Sequence, residues 1–460
     1  MSFSSFATLI YIILLLISAL FTLRTKRIDR SIFILFVFIS LYYLYGFLPV
    51  LYQDGEKLPA LFSSIRESSI PQIKALGLTF LIYFFSVKIF TNRYTILSRL
   101  TIFIKAYKRY LYLILAWFLS SAFILTFNDL SFLATKTLLQ QGLILSFSFC
   151  FYLLFTTEKI ENLHTKKELT FLTLIILLIA SYEFITSKTW VSGSVVRASS
   201  TLLNPNNLGL WCFFVGGYLF TTKNKHSHKL IYINISLIAY GLFVSSSRSI
   251  AFIFIGFIIS LGLLKALRGQ SLKIYSQKAY SFFLPFSFLC IFPHFLGRDL
   301  SQIMVIRNLQ VSSGRFLFTV PQALNHFFNI GPNRLSESWF VNKFIITHDS
   351  LTGGGNIVDA GKINIASRVT KLSSDNSFIF LFRETSLLHF LIWITIILIP
   401  LCLTITRRGH KSLESSHIFF IFFLICGFTI NIFNTFPGWI FLASFLGFFK
   451  SLIYKDNQEY

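Results

Sequence analysis

The chain has 460 residues, 54% of them hydrophobic and only 13% charged, with 57 Phe and a formal net charge of +23. Charged residues are about a quarter of an ordinary soluble domain, so composition excludes a water-soluble globule and predicts an all-α polytopic membrane protein. The basic balance would suggest nucleic acid in a soluble protein. Here Lys and Arg gather in alternate short loops, as membrane topology requires, and no nucleic-acid partner is expected.

Taken in chain order, apolar runs near the ~20 residues that a bilayer requires occur at 5–23, 31–52, 73–91, 110–127, 138–156, 169–187, 204–221, 229–245, 249–266, 280–296, 377–405, 416–433 and 436–453. They predict about 12–13 transmembrane helices in a single integral membrane domain spanning 1–460. The first run lacks a basic start and a small-residue cleavage site, so it reads as a span and not as a signal peptide. Five cysteines, Cys150, Cys212, Cys290, Cys402 and Cys426, fall inside apolar stretches without paired spacing. Neither a disulfide framework, a metal site nor a cofactor is indicated.

Basic segments such as "RTKRIDR" (24–30), "EKIENLHTKKE" (158–168), "KNKHSHK" (223–229), "RGQSLK" (268–273) and "TRRGHK" (406–411) fall on one side by parity. That side is cytoplasmic. The opposite, outer face then receives 188–207, the short turn 245–248 and one long loop at 297–375. Loops of that length are usually functional or disordered. This one is expected to fold partly over the membrane domain with short helices.

In so apolar a chain the polar residues at the membrane carry the information. Arg197 precedes the seventh run and also suits a snorkelling interface arginine. Asn204-Pro205-Asn206-Asn207 reads either as a helix cap or as a polar floor whose helix-start amides receive an anion. Ser245-Ser246-Ser247-Arg248 puts a charge in a tight outer turn, against the topology bias. Gly314-Arg315 lies in "SSGRFLFTVPQALNHFFNIGPNRL", where apolar spacing predicts an outer-surface helix. Asp375 and Asn376 stand where the long loop re-enters the membrane, and Arg383 and Glu384 follow about two turns later. Asp375 equally suits a helix N-cap. Together these groups describe outward-facing arginines with amides and a carboxylate nearby. Arginine forks suit phosphate or pyrophosphate, and a carboxylate beside them suits proton removal from a hydroxyl.

The order of "RASSTLLNPNNLG", "SSSRSIAFIFIGFIISL", "SGRFLF" with "ALNHFFNIGPNRL", and "DNSFIFLFRETSLL" after a long outer loop resembles the O-antigen polymerase and O-antigen ligase superfamily over roughly residues 190–400. The resemblance implies a metal-independent membrane glycosyltransferase of the GT-C kind. Its substrates would be glycans on undecaprenyl diphosphate, used at the periplasmic face of the bacterial inner membrane, with a chain-length regulator as an expected protein partner. Arg197, Arg248 and Arg315 would hold the pyrophosphate. The donor site would be lined by Asn204, Asn206, Ser247, Asn376, Arg383 and Glu384, with Asp375 orienting the acceptor hydroxyl and accepting its proton. Ligases usually carry a His-Asn pair where this chain has Asp375-Asn376, and a glycine where Thr385 follows Glu384. These departures favour a polymerase over a ligase. A lipid-linked-oligosaccharide flippase is the alternative of another class, and Glu384 or His389 are alternative bases.

Overall fold

The computed structural model describes most of residues 108–318 and 377–456, together with Thr101 and Ile104. The runs expected at 5–23, 31–52 and 73–91, most of the long loop, and Asp375, Asn376, Arg383 and Glu384 lie outside the described residues.

The fold is all-α. Its helices are α1 (Lys108–Phe127), α2 (Phe132–Thr157), α3 (Thr165–Thr186), α4 (Pro205–Thr221), α5 (His228–Ser245), α6 (Arg248–Leu267), α7 (Lys273–Ile291), α8 (Met304–Leu317), α9 (Leu387–Arg408), α10 (Ser415–Cys426) and α11 (Gly438–Asp456). Between α3 and α4 one small hairpin, β1 (Trp190–Ser192) and β2 (Val195–Arg197), pairs antiparallel with Trp190 opposite Arg197. The described residues fall into two compact units. One contains α3 to α8, within Asn162–Asn325, together with Ile421–Phe423; the other contains α1, α2, α9, α11 and the rest of α10.

In the first unit α5 is the central helix, packed on α3, α4 and α7, while α4 also packs on α6. The C-terminal ends of α3, α5 and α7 share one end with the N-terminal ends of α4 and α6, as the contacts of Asn308 with Phe184, Ser312 with Ser246, Phe316 with Phe286 and Ser247 with Asn206 show. Two glycines seven residues apart lie on one face of α4 and let α5 and α6 come close. A Cβ on Gly209 would stand 2.9 Å from both Ser247 Cβ and Ile250 Cδ1, and one on Gly216 would stand 2.5 Å from Phe254 Cζ. The abundance of Phe finds a packing reason here. The Phe254 ring meets Phe213, Phe220 and Phe282 edge-on at 5.6, 6.0 and 5.0 Å, the favoured geometry for ring quadrupoles.

The helix expected over 280–296 starts earlier, at Lys273. Its first turns are polar, and buried Lys278 donates through Nζ to the Leu219 carbonyl near the end of α4, 2.7 Å away. A cation at a helix C-terminus satisfies orphan carbonyls, so this lysine lengthens the helix that periodicity alone would cut short. Pro293 has no N–H to give, and the chain tightens into a 3-10 turn at Phe292–Phe295. The outer helix expected from Ser312 onward begins upstream, at Met304, and ends at Leu317.

In the second unit α2 lies along α11, and α9 packs on α1 and α11. Buried Lys450 donates to Ser148 Oγ at 3.0 Å. The run expected as one span over 377–405 is divided, with α9 starting only at Leu387. Ser377 instead donates its N–H to Gly427 O at 2.8 Å and its hydroxyl to Ile430 O at 2.6 Å. The same turn ends α10 at Cys426, short of the expected 433.

Among the described residues, Arg248–Leu267 and Leu387–Thr406 are long and apolar enough to cross a membrane, with shorter apolar stretches in six further helices. Outer faces are apolar as well. Leu115, Phe118, Leu119 and Phe123 on α1, and Tyr280, Leu284, Phe288 and Ile291 on α7, are all exposed.

Candidate functional site

Three arginines from three separate stretches gather at the end of the first unit where α5 ends and α4 and α6 begin. The hairpin delivers Arg197, and the chain beyond it is pinned on both sides. Ala198 donates its N–H to Val244 O at 2.9 Å. Ser200, with φ +53°, donates its N–H to Glu183 Oε2 at 2.8 Å and its hydroxyl to Ile176 O at 2.6 Å. Arg197 therefore sits between α3 and α5 on a backbone that has little freedom.

The guanidinium of Arg197 donates through Nη2 to Asn206 Oδ1 at 2.8 Å and through Nε to Ser245 O at 3.4 Å. Ser247 Oγ donates to the same Asn206 oxygen at 3.1 Å. Asn206 thus ties the β2 arginine to the α5–α6 turn. Asn204 has the other role open to this stretch. Its Oδ1 accepts the Asn206 N–H at 2.8 Å, and its carbonyl accepts from Asn207 and Leu208 at 3.0 and 3.2 Å. It caps α4, with Pro205 at the first helical position, where a missing N–H costs nothing. Asn207 is buried and donates to Leu202 O at 3.1 Å. Of the three amides, Asn206 meets Arg197 and the other two organise the backbone.

The α5–α6 turn is tight because Ser246 adopts φ +48°. Such a conformation is uncommon outside glycine and costs energy that surrounding contacts must offset. Here Ser246 Oγ donates to Ser312 Oγ on α8 at 3.3 Å. Ser247 occupies the N-cap position of α6 without a side-chain cap bond, since its hydroxyl is given to Asn206. Arg248 is then the first residue of α6.

Arg315 arrives on α8, one turn beyond Ser312. That helix is fastened across the bundle end at several points. Asn308 Nδ2 donates to Phe184 O at 2.8 Å and Ser187 Oγ at 2.9 Å. The Phe316 ring stacks on Phe243 at 5.8 Å and meets Phe286 edge-on at 5.4 Å. Ser313 Oγ and His294 Nε2 are 2.9 Å apart. Arg315 is half-buried. Burial, and then the positive charge of Arg248, lower its pKa from the ordinary arginine value. A guanidinium keeps its charge at any physiological pH, so two permanent cations lie within electrostatic reach of each other.

The structure brings together Arg197, Asn206, Ser247, Arg248 and Arg315, with Asn204 beside them as a cap. Asp375, Asn376, Arg383 and Glu384 are outside the described residues. His389 lies in the second unit, buried, with Nδ1 2.8 Å from Ser120 Oγ and Nε2 2.8 Å from Gln141 Oε1. Both ring nitrogens are engaged in helix packing, which argues against its use as a base. Among the described residues no group of three or more His, Cys, Asp or Glu side chains could hold a metal ion.

The sequence reading overlooked Glu183. It is a carboxylate 1% exposed inside the apolar run 169–187, and an ionisable residue in such a run is a signal in itself. Asn308 and Ser312 gave no comparable signal, because their importance depends on where α8 lands. Compared with protein-family models, curated proteins and solved structures, the chain matches none.

Proposed function

We propose that the chain is a polytopic protein of the bacterial inner membrane and a surface-polysaccharide polymerase that joins undecaprenyl-diphosphate-linked repeat units at the periplasmic face. The observation that carries this reading is the gathering of Arg197, Arg248 and Arg315 at one end of a helical unit, linked through Asn206, Ser247, Ser246 and Ser312. The resemblance of motif order to the O-antigen polymerase and ligase superfamily supports it, as do the apolar outer faces of α1 and α7, which suit lipid contact. The end that holds the arginines is the end that the basic loops assign to the outside.

In this reaction the acceptor hydroxyl oxygen attacks the anomeric carbon of the donor sugar. The bond from that carbon to the diphosphate oxygen breaks, and its electron pair leaves on the diphosphate. Inversion follows from direct displacement. Guanidinium groups aimed at the departing oxygens stabilise the charge as it develops, which is the main electrostatic contribution that a fixed site makes. The hydroxyl proton passes to Asp375 late in the step, when the oxygen has become acidic.

Deleting the gene in its host and resolving the surface polysaccharide on a gel tests the proposal. Single repeat units capped on lipid A-core are expected. Complete chains stranded on undecaprenyl diphosphate, with bare core, would mark a ligase instead. Lipid-linked units retained on the cytoplasmic side would mark a flippase and remove the catalytic reading.

A further inference from the structure

A helix on the surface of a soluble protein buries its apolar stripe and turns its polar face to water. Helix α8 departs from this pattern. Three of its four buried residues are polar, Asn308, Ser312 and Ser313 at 5%, 0% and 0% exposure beside Phe316, while Ile303 and Met304 at its start and Leu317 and Phe318 at its end are exposed. The buried polar side chains are spent on hydrogen bonds to Phe184, Ser187, Ser246 and His294. The exposed residues from Ile303 to Phe318 are apolar except for Arg307, with Gln310 and Arg315 half-buried.

This face continues a larger one. On α7, Tyr280, Leu284, Phe288 and Ile291 recur at helical spacing and are exposed; the strip runs on through Phe292 and Phe295, the latter 80% exposed, to Leu300 and Ile303. Exposed apolar residues on both sides of this turn, at the end of an apolar helix and at the start of the next, match a hydrocarbon boundary that both elements share. Long cationic side chains such as Arg307 belong at the rim of such a surface, where the stem lies along apolar groups and the head meets lipid phosphate.

We infer that the Phe292–Phe295 turn and α8 lie in the plane of the bilayer, sunk into its outer leaflet, with lipid acyl chains covering Phe295, Ile303 and Met304. This inference rests on the membrane reading proposed above and adds a depth to it. Arg315 then stands at headgroup level, and the diphosphate of a membrane-resident lipid reaches it without its hydrocarbon chain leaving the leaflet.

The test uses the full chain in lipid nanodiscs, with a benzophenone amino acid placed in turn at Leu284, Phe295 and Ile303, and adducts identified by mass spectrometry after irradiation. Phospholipid adducts at all three positions are expected. Adducts at Leu284 but at neither Phe295 nor Ile303, whether those two face water or another stretch of this chain, would overturn the in-plane placement and leave the membrane reading standing. Adducts at Phe295 without Ile303 would put only the turn in lipid and overturn the placement of α8, as would adducts at Ile303 without Phe295 for the turn. Absence of lipid at Leu284 would remove the membrane reading, and this inference with it.

Discussion

Arg197 gives two of its guanidinium nitrogens to Asn206 and Ser245, and its neighbours hold it by their backbones. On the proposed function, that arrangement distinguishes side chains that would touch the diphosphate from those that would aim them. Arg248→Lys keeps a positive charge and removes the planar fork. Losing one charge-assisted hydrogen bond to diphosphate corresponds to about 1.5–3 kcal/mol, or roughly a ten- to hundredfold loss of polymerisation. Shortened or absent polymer on complementation, at normal protein level, is the expected result. Glu183 acts at a distance, through Ser200. Glu183→Ala leaves the buried Ser200 N–H without its acceptor and is expected to cost about 1–3 kcal/mol. Glu183→Gln retains an acceptor oxygen and should recover most of that stability in a thermal melt. A Gln variant as unstable as the Ala variant would mean that the carboxylate charge matters more than the hydrogen bond.

At the level of elements, helix α4 meets the α5–α6 turn so closely that only glycine fits at position 209. Gly209→Ala forces Ser247 or Ile250 to move, at about 1–3 kcal/mol for overpacking. Because Ser247 bonds the same Asn206 oxygen as Arg197, this substitution should impair both the melting temperature and polymer formation. A Gly216→Ala control should lower stability by packing against Phe254 with a smaller effect on polymer per degree lost. Helix α8 was expected from the spacing of apolar residues, yet its start was misplaced. That spacing locates a helix by its apolar stripe, whereas α8 is fastened by Asn308, Ser312 and Ser313, and residues of that kind look like loop in a sequence. The helices α7 and α9 were misjudged for a related reason. Lys278 extends α7 through a carbonyl on another helix, and Ser377 is drawn into the turn after α10, so both boundaries depend on partners remote in sequence.

For the whole molecule, the alternation of basic loops implies that Gln270 lies on the cytoplasmic side and Arg307 on the periplasmic side. A cysteine introduced at Gln270 should react with a membrane-impermeant maleimide only after the membrane is opened, and one at Arg307 should react in intact spheroplasts. Labelling of both, or the reverse order, would overturn the orientation. The native cysteines, four of them buried, leave a low background once Cys402 is replaced.

Composition and the positions of the apolar runs were enough to determine an all-α chain, because a backbone surrounded by apolar side chains has to satisfy its own N–H and C=O groups, and helices do this locally. The few polar residues at the ends of apolar runs were also enough to draw attention to Arg197, Arg248 and Arg315, which the fold brings to one end of the first unit. The sequence left the roles of Asn204 and Asn206 open and passed over Glu183. Tertiary structure decided these, since a capping amide and one that ties two elements together have the same composition and differ only in which side chain crosses to another element. It also decided that α8 turns its polar face inward, which depends on the carbonyls and hydroxyls that the ends of α3 and α5 offer to Asn308 and Ser312.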